Sequence, residues 1–594
     1  MALDRMDSLK RTHYCGTLTT ENQGSEVVVC GWAQRQRDLG GLIFIDLRDR
    51  TGIVQLAFDD ATEKSVFEKA STVRSEFVLM AKGLVRRRSS VNKEIPTGEI
   101  EIEVTTLKIL GKAETPPFDI TNDTKANEEL RLKYRYLDLR REKLQKNIIT
   151  RHRIAKVTRD YFDENGFLEI ETPTLIKSTP EGARDYLVPS RIHHGSFYAL
   201  PQSPQLYKQL LMLSGFDRYV QLARCYRDED LRADRQPEFT QIDMEMSFVE
   251  MEDIFAVAEG YMKRLFGEIL GVELTLPLPR IKFNDAMEQY GSDKPDIRFD
   301  MKLIDLSSVV ENCGFSVFAD TVKNGGTVRA ICAKGGASVY TRKEIDKLTE
   351  EVKGIGAKGL AFIRFAEDTP TCAFAKFLSE EEFASIMEKT GCEKGDVVFI
   401  IADKKRLALS VLGNLRLSVA KRLDIIPNTY APLWITEFPF FEYNDETGNW
   451  DAMHHPFTSP LDECIPYLES APDKVYAKAY DLVMNGIELS SGSIRITDPA
   501  LQNQMFKALG LSDEEAHEKF GFLTDAFRFG APPHGGLAIG LDRICMLLTE
   551  SDSLRDVVAF PKVSNSSELM SGAPAAVDIA QLNDLSIAIV NEKE

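Results

Sequence analysis

The chain has no apolar run approaching the roughly 18 residues that a membrane-crossing helix requires, so no membrane partner is expected. Its nine cysteines are scattered and none forms a CxxC pair, which argues against a disulfide scaffold and against a zinc site. They read as reduced, mostly packed thiols of a cytoplasmic protein. The opening stretch MALDRMDSLKRTHY has neither an apolar core nor a small-residue cleavage site, so export is not expected. Internal repeats and low-complexity tracts are also lacking. Positive charge is in deficit, with 73 Lys+Arg against 92 Asp+Glu and a net charge of −19. Taken as a sum, that balance argues against a nucleic-acid partner.

The distribution of charge reverses that inference. Residues 1–115 hold 17 basic and 17 acidic residues, a net charge of 0, so the whole deficit lies downstream. Arg35, Arg37, Arg48, Arg50 and the run Arg86-Arg87-Arg88 can therefore form a basic face. Apolar β-formers cluster at Val27–Trp32, Leu42–Leu47, Ile53–Phe58, Phe77–Val85 and Ile100–Leu110, with a helical stretch at Ala61–Val73. Five strands with a helix before the fourth is the order of an OB-fold barrel, which binds oligonucleotides. Phe44 and Gln55 fall on the strands that stack on and read bases in such barrels, with Arg35 beside them.

At 594 residues the chain needs several cores. Pro116-Pro117-Phe118 opens a linker, giving a barrel at 1–115 and a hinge at 116–140. An amphipathic helix is expected from Arg141 to Asn165, ended by Gly166, with Leu144, Ile148, Ile154, Val157, Tyr161 and Phe162 as its apolar positions. It begins a segment at 141–294. Residues 295–425 are richer in Gly and Lys and read as an inserted α+β domain, with helices at Arg342–Val352 and Glu380–Thr390 around a strand at Leu360–Phe365. Apolar strands such as Leu433–Phe438 resume in 426–562, and 563–594 is a C-terminal extension. The fold class is multidomain α+β. Gly354-Ile355-Gly356-Ala357-Lys358-Gly359 matches GxGxxG but follows a helix and precedes a strand. A dinucleotide loop needs the reverse order, so this is read as a plain loop.

Three segments carry the chemistry. Gly166–Pro173 leaves a helix into a short strand. Gln221–Glu245 places alternating arginines and carboxylates on two strand-like halves around a polar loop. Gly535–Arg543 is a strand entering a helix with an arginine at its start. In this order they resemble motifs 1, 2 and 3 of the class II aminoacyl-tRNA synthetases. The barrel in front narrows the resemblance to the aspartate, asparagine and lysine subgroup. Ser178–Tyr186, Gln202–Lys208, His454–Phe457 and Gly486–Arg495, together with the insertion, are similar to its bacterial aspartate branch.

The resemblance implies an antiparallel sheet flanked by helices, a homodimer built on motif 1, and a site for ATP and Mg²⁺. Arg227 and Arg543 are the catalytic cations, offsetting the repulsion when a carboxylate attacks the α-phosphorus. Phe239 stacks on adenine and Glu229 accepts from its amino group. Asp228, Gln236, Gly540, Leu541 and Asp542 complete the ATP set, and Asp481 and Glu488 are oxygen ligands for Mg²⁺. For L-aspartate, Lys208 and Arg495 face the side-chain carboxylate, while Glu181 and Asp243 hold the ammonium. Ser203 and Gln205 add hydrogen bonds, Gln241 lies near the reacting carboxylate, and His454 sits over the amino acid as a titrating imidazole. Asparagine would leave both cations uncompensated.

The function so implied is attachment of aspartate to tRNA(Asp). The alternative is an enzyme that also charges tRNA(Asn); members that do so commonly carry His where this chain has Leu39. An asparagine enzyme is disfavoured by Lys208, and a non-catalytic RNA-binding paralogue by Arg227, Glu488 and Arg543. His454-His455 is not read as a metal pair, and His193-His194 is read as surface.

Overall fold

The computed structural model describes residues 3–179, 182–231, 235–444 and 448–590. The chain divides into two compact units. One comprises the chain up to Arg153 with Asp230–Pro237 and Cys545–Leu582; the other comprises Ile154–Glu229, Glu238–Ile544 and the described residues from Asn583.

The first unit contains a closed five-stranded barrel, β1 (Glu26–Asp38), β2 (Ile43–Asp49), β3 (Gly52–Phe58), β4 (Val78–Arg87) and β5 (Ile100–Gly111), in the order β1-β2-β3-β5-β4. Helix α1 (Lys64–Ser71) precedes β4. Alternate residues Val27, Val29, Ile43, Ile45, Leu47, Val54 and Leu56 fill the interior and are fully buried. Strands β1, β2 and β4 run beyond their apolar runs because the ladder continues under polar residues, as at β1, which extends through Arg35 and Arg37 to Asp38.

Helix α2 (Glu142–Glu164) ends as its sequence requires: Gly166 has φ +76°, a left-handed conformation that costs glycine nothing, and its N–H bonds Asp163 O at 2.9 Å. The second unit is built on an eight-stranded sheet. Its strands are β6 (Leu168–Glu169), β7 (Arg218–Tyr226), β8 (Glu238–Ser247), β9 (Arg280–Lys282), β14 (Pro432–Pro439), β15 (Tyr476–Met484), β16 (Ile487–Ile494) and β17 (His534–Gly540), in the order β9-β14-β15-β16-β17-β8-β7-β6. The two outermost pairings are parallel and the five between them antiparallel. Helix α3 (Gln205–Leu213) and helix α4 (Met251–Leu270) belong to the same unit. Helix α4 covers one face, where Phe255 stacks on Trp434 at 4.4 Å and Leu482, Leu537 and Ile539 are fully buried.

A separate four-stranded antiparallel sheet lies in the expected insertion. It comprises β10 (Ile304–Asp305), β11 (Thr327–Ala333), β12 (Ala361–Arg364) and β13 (Val397–Asp403), in the order β10-β11-β13-β12. Helix α5 (Arg342–Ile355) runs one turn past its expected end, so Gly354 is helical and the loop begins only at Gly356, with φ +114°. Helix α6 (Glu380–Thr390) matches its expected bounds, fixed by a capping box between Ser379 and Glu382. Helix α7 (Leu541–Leu548) follows β17 directly.

Candidate active site

Strand register brings distant carboxylates and hydroxyls onto one face. Asp481 of β15 pairs with Ser491 of β16, Ser491 with Ala538 of β17, and Ala538 with Asp243 of β8. The next row runs Ser493, Gly536, Glu245. Directly paired residues share a face, so all of these point away from α4. Motif 3 supplies the floor: Gly536, Ala538 and Gly540 are its small alternate residues, while Leu537 and Ile539 face the core. A Cβ on Gly536 would lie 2.1 Å from both Glu245 Oε2 and Met244 O. Glycine there is a condition of the site.

Helix α3 lays Lys208 on that floor. Its Nζ is 2.7 Å from Asp243 Oδ1 and 3.2 Å from Glu245 Oε2. Arg495, just past β16, grips Glu245 with two bonds: Nε donates to Oε1 at 2.8 Å and Nη2 to Oε2 at 3.1 Å. All four groups are buried. Burial raises the Glu245 carboxyl, but Arg495 and Lys208 outweigh it and bring the group to about 2. For Asp243 burial wins over Lys208 and the carboxyl is raised. The buried Oδ2 of Asp243 has no hydrogen-bond partner among the described residues.

Two histidines complete the quartet's surroundings. Arg495 Nη1 is 2.8 Å from His455 Nε2, so that nitrogen is the acceptor and the ring is neutral. Burial and the cations Arg495 and Lys208 hold its pKa well below the usual value. His534 donates from Nδ1 to Pro532 O at 2.7 Å, leaving Nε2 to accept from Gln209 Nε2 at 3.1 Å. Gln209 Oε1 accepts in turn from Gln205 Nε2 at 3.1 Å. This buried relay fixes the face of α3 that carries Gln205 and Lys208.

His454 departs from its expected state. Its ring meets Phe438 edge-on at 5.6 Å, burial pushes its pKa down to about 4, and Nε2 has no partner among the described residues. At neutral pH it is uncharged. It is His455, not His454, that reaches Arg495.

At the other end of the face, the Arg227 guanidinium lies 5.0 Å over the Phe239 ring, and Gln241 follows two residues along the same side of β8. Asp228 bridges to Arg184. A β-bulge between Leu482 and Val483 in the β15–β16 register sets Glu488 opposite Val483, on the side of Asp481. Glu488 Oε1 lies 3.4 Å from Arg543 Nη1, its backbone O accepts from the same nitrogen at 2.9 Å, and its Oε2 lies 3.3 Å from Lys294. Asp481 is raised well above the usual carboxylate range, chiefly by burial and then by Glu488. Gly540, Leu541 and Asp542 form the β17–α7 junction, where Asp542 Oδ2 accepts from the Thr240 N–H at 3.1 Å.

The remaining residues fall elsewhere. Ser203 lines a cavity of about 190 Å³ with Thr179, Leu206 and Tyr207, and its Oγ accepts from the Gln205 N–H at 3.4 Å. Gln236 belongs to the first unit, where it exchanges two bonds with the Lys562 backbone. Glu181 lies outside the described residues. In the barrel, Arg35 pairs with Asp46 and Asp46 with Gln55, so Arg35, Phe44 and Gln55 share one outer face. The Gln55 amide is buried there: Nε2 donates to Glu101 at 2.7 Å, and Oε1 accepts from Arg37 and Arg88, each at 2.9 Å. His193 and His194 are exposed, as expected.

The residues that sequence reasoning missed are Glu245, His455, Gln209, His534 and Lys294. Only Glu245 left a signal, its spacing of two from Asp243 on a strand.

An OB barrel, followed by a largely antiparallel sheet whose motif 2 and motif 3 strands carry the polar site, is the architecture of a class II aminoacyl-tRNA synthetase. The family profile "tRNA synthetases class II (D, K and N)" matches residues 127–564, and "OB-fold nucleic acid binding domain" matches 27–110. The chain belongs to this class II D, K and N family. It is 56% identical over 593 residues to the aspartate--tRNA ligase of Ruminiclostridium cellulolyticum, covering 99% of this chain and 100% of that protein. It is 55% identical over 589 residues to the aspartate--tRNA(Asp/Asn) ligase of Caldanaerobacter subterraneus subsp. tengcongensis, covering 99% of each. Among solved structures, the asparaginyl-tRNA synthetase of Pyrococcus horikoshii complexed with asparaginyl-adenylate superposes with a TM-score of 0.56 at 18% identity, covering 93% of this chain and 98% of that one. A putative aspartyl-tRNA synthetase from Leishmania major Friedlin gives 0.59 at 18% identity, covering 94% and 95%. At that identity the likeness concerns the fold.

Proposed function

We propose that the protein attaches L-aspartate to tRNA(Asp) in two steps, forming an aspartyl-adenylate from ATP and passing the aspartyl group to the terminal ribose of the tRNA. The buried quartet Lys208, Asp243, Glu245 and Arg495 carries this reading. Lys208 and Arg495 are not both left for the substrate, because Glu245 already neutralises one of them. With Asp243 Oδ2 turned to the substrate ammonium, Lys208 and Arg495 against Glu245 leave one positive charge. The side-chain carboxylate of aspartate matches it; asparagine leaves it buried and unmatched.

Arg227 and Arg543 draw charge off the α-phosphate while Phe239 and Glu229 seat the adenine, with Asp228, Gln236, Gly540, Leu541 and Asp542 completing the ATP set. Catalysis is positioning and charge stabilisation, with no covalent nucleophile. Asp481 and Glu488 suit Mg²⁺: both are hard oxygen donors, and a cation, the Lys294 ammonium, already stands beside Glu488. Asp481 and Glu488 would hold Mg²⁺, which would supply positive charge to offset that of the phosphates. Glu181, Ser203, Gln205, Gln241 and His454 belong to the aspartate pocket, and Arg35, Phe44 and Gln55 to the anticodon face. The enzyme works as a cytoplasmic homodimer, with the barrel, hinge, split catalytic domain, insertion and extension divided as above.

Leu39 is 69% exposed between β1 and β2 and favours tRNA(Asp) alone. Charging purified tRNA(Asp) and tRNA(Asn) with labelled aspartate tests the reading: aspartyl-tRNA(Asp) is expected. Equal charging of tRNA(Asn) favours the broader enzyme, and charging of neither contradicts both.

A further inference from the structure

Beyond the nucleotide and amino-acid site, the four-stranded sheet gathers three metal-ligating side chains that sequence spacing does not bring together. Cys332 lies on β11, while Cys392 and Asp396 lie in the segment joining α6 to β13. Their two sulfurs and a carboxylate oxygen all lie within 4.8 Å of one another. No other trio of His, Cys, Asp and Glu among the described residues meets that condition. The Cys332 thiol donates to Asp396 Oδ2 at 3.9 Å. A tetrahedral cation with bonds of about 2.3 Å to sulfur and about 2.0 Å to oxygen needs separations of about 3.8 Å between sulfurs and about 3.5 Å from sulfur to oxygen.

The carboxylate is already aimed. Asp396 Oδ1 accepts from the Gly335 N–H at 2.8 Å and Oδ2 from the Glu393 N–H at 2.9 Å, so its orientation is fixed by backbone on both sides. A cation also stands at that oxygen: Lys334 Nζ lies 2.9 Å from Oδ2 and donates to Gly391 O, on a side chain that is 59% exposed. Cys332 is partly exposed, which gives a path from solvent, whereas Cys392 and Asp396 are buried.

We propose that Cys332, Cys392 and Asp396 form a binding site for a thiophilic divalent cation of the zinc class, with solvent as fourth ligand and the Lys334 ammonium as its competitor. Binding displaces that ammonium, and the cation takes both sulfurs as thiolates, releasing their protons to solvent. The site belongs to the insertion and does not depend on the aminoacylation reading.

The test uses the full chain, reduced with a phosphine and stripped of metal, titrated with Co²⁺ and followed by absorption. One equivalent is expected, with sulfur-to-cobalt charge-transfer bands and the strong visible bands of tetrahedral Co²⁺, both erased by added Zn²⁺. Cys332→Ser and Cys392→Ser should each weaken binding at least tenfold and cut the charge-transfer bands, with melting midpoint and aspartate-dependent pyrophosphate exchange unchanged. Lys334→Met should tighten binding about tenfold, an effect that a merely structural lysine would not give. The proposal is overturned by Co²⁺ spectra without thiolate bands, by bands that persist in the double Cys→Ser variant, by Lys334→Met leaving affinity unchanged, or by the two thiols pairing as a disulfide in place of taking metal.

Discussion

Glu245 and Arg495 stand 250 residues apart in sequence and meet through two hydrogen bonds, Nε to Oε1 at 2.8 Å and Nη2 to Oε2 at 3.1 Å, inside the sheet face that faces α3. Under the proposed function this pair sets the charge of the aspartate pocket, and Glu245→Gln tests it. Removing one partner of a buried pair costs about 3–5 kcal/mol. The variant should melt earlier and show a raised KM for aspartate with an ATP KM near normal. A Glu245→Gln enzyme with wild-type aspartate KM would remove Glu245 from the pocket.

Lys208→Met tests the residual positive charge. It strips the pocket of the cation left over for the substrate, so the preference for aspartate over asparagine in pyrophosphate exchange should fall by 10²-fold or more, at order of magnitude. ATP affinity should change little. If ATP affinity falls while the preference survives, Lys208 serves the nucleotide instead.

Motif 3 makes a steric prediction with its own control. A Cβ on Gly536 meets Glu245 Oε2 and Met244 O at 2.1 Å, whereas one on Gly540 meets nothing nearer than Arg543 side-chain atoms at 3.6–3.7 Å. Gly536→Ala should therefore lose aspartate activation and melt early, and Gly540→Ala should fold like the parent. Equal melting midpoints for the two variants would contradict the register that puts Glu245 over Gly536.

The pH dependence of stability follows from His454 and Glu245. The His454 pKa is lowered from 6.5 to about 4, so the unfolded chain binds a proton that the folded one refuses, and stability falls as pH drops from 6.5 towards 4. Glu245 is lowered from 4.5 to about 2, so its stabilisation, complete above 4.5, is lost as pH falls from 4.5 towards 2. Melting midpoints of wild type and His454→Gln across pH 4–7 should converge on the acid side. Parallel curves would show that His454 is protonated alike in both states.

Much of the fold was legible because its determinants are local. The barrel strands follow apolar alternation, α2 stops where only Gly166 takes φ +76°, and α6 begins at its capping box. Residue type, with the family resemblance, singled out Lys208 and Arg495, which the fold brings together with Asp243 and Glu245 in one buried cluster. The site was illegible where three-dimensional register decides. Glu245 is one acid among many until β8, β17 and β16 align, and Glu488 joins Asp481 only because of a bulge in the β15–β16 register. In sequence His455 is only half of a pair not read as a metal site, and its contact with Arg495 depends on the fold of the loop around it. Gln55 was expected on the base-reading face, yet its amide is occupied by Arg37 of β1, Glu101 of β5 and Arg88 just past β4.

Arg227 lies over Phe239, and under the proposed function its loss should abolish adenylate formation while leaving the fold intact. Arg227→Ala should show no aspartate-dependent pyrophosphate exchange and a wild-type melting midpoint. Near-normal exchange would sink the assignment of the cation.

The most direct measurement is ATP–pyrophosphate exchange by the purified wild-type chain with each of the twenty amino acids in turn. Exchange with aspartate, and none above background with asparagine or lysine, is the predicted result. Exchange driven by asparagine or lysine, or by no amino acid at all, would contradict an aspartate pocket built on Lys208, Asp243, Glu245 and Arg495.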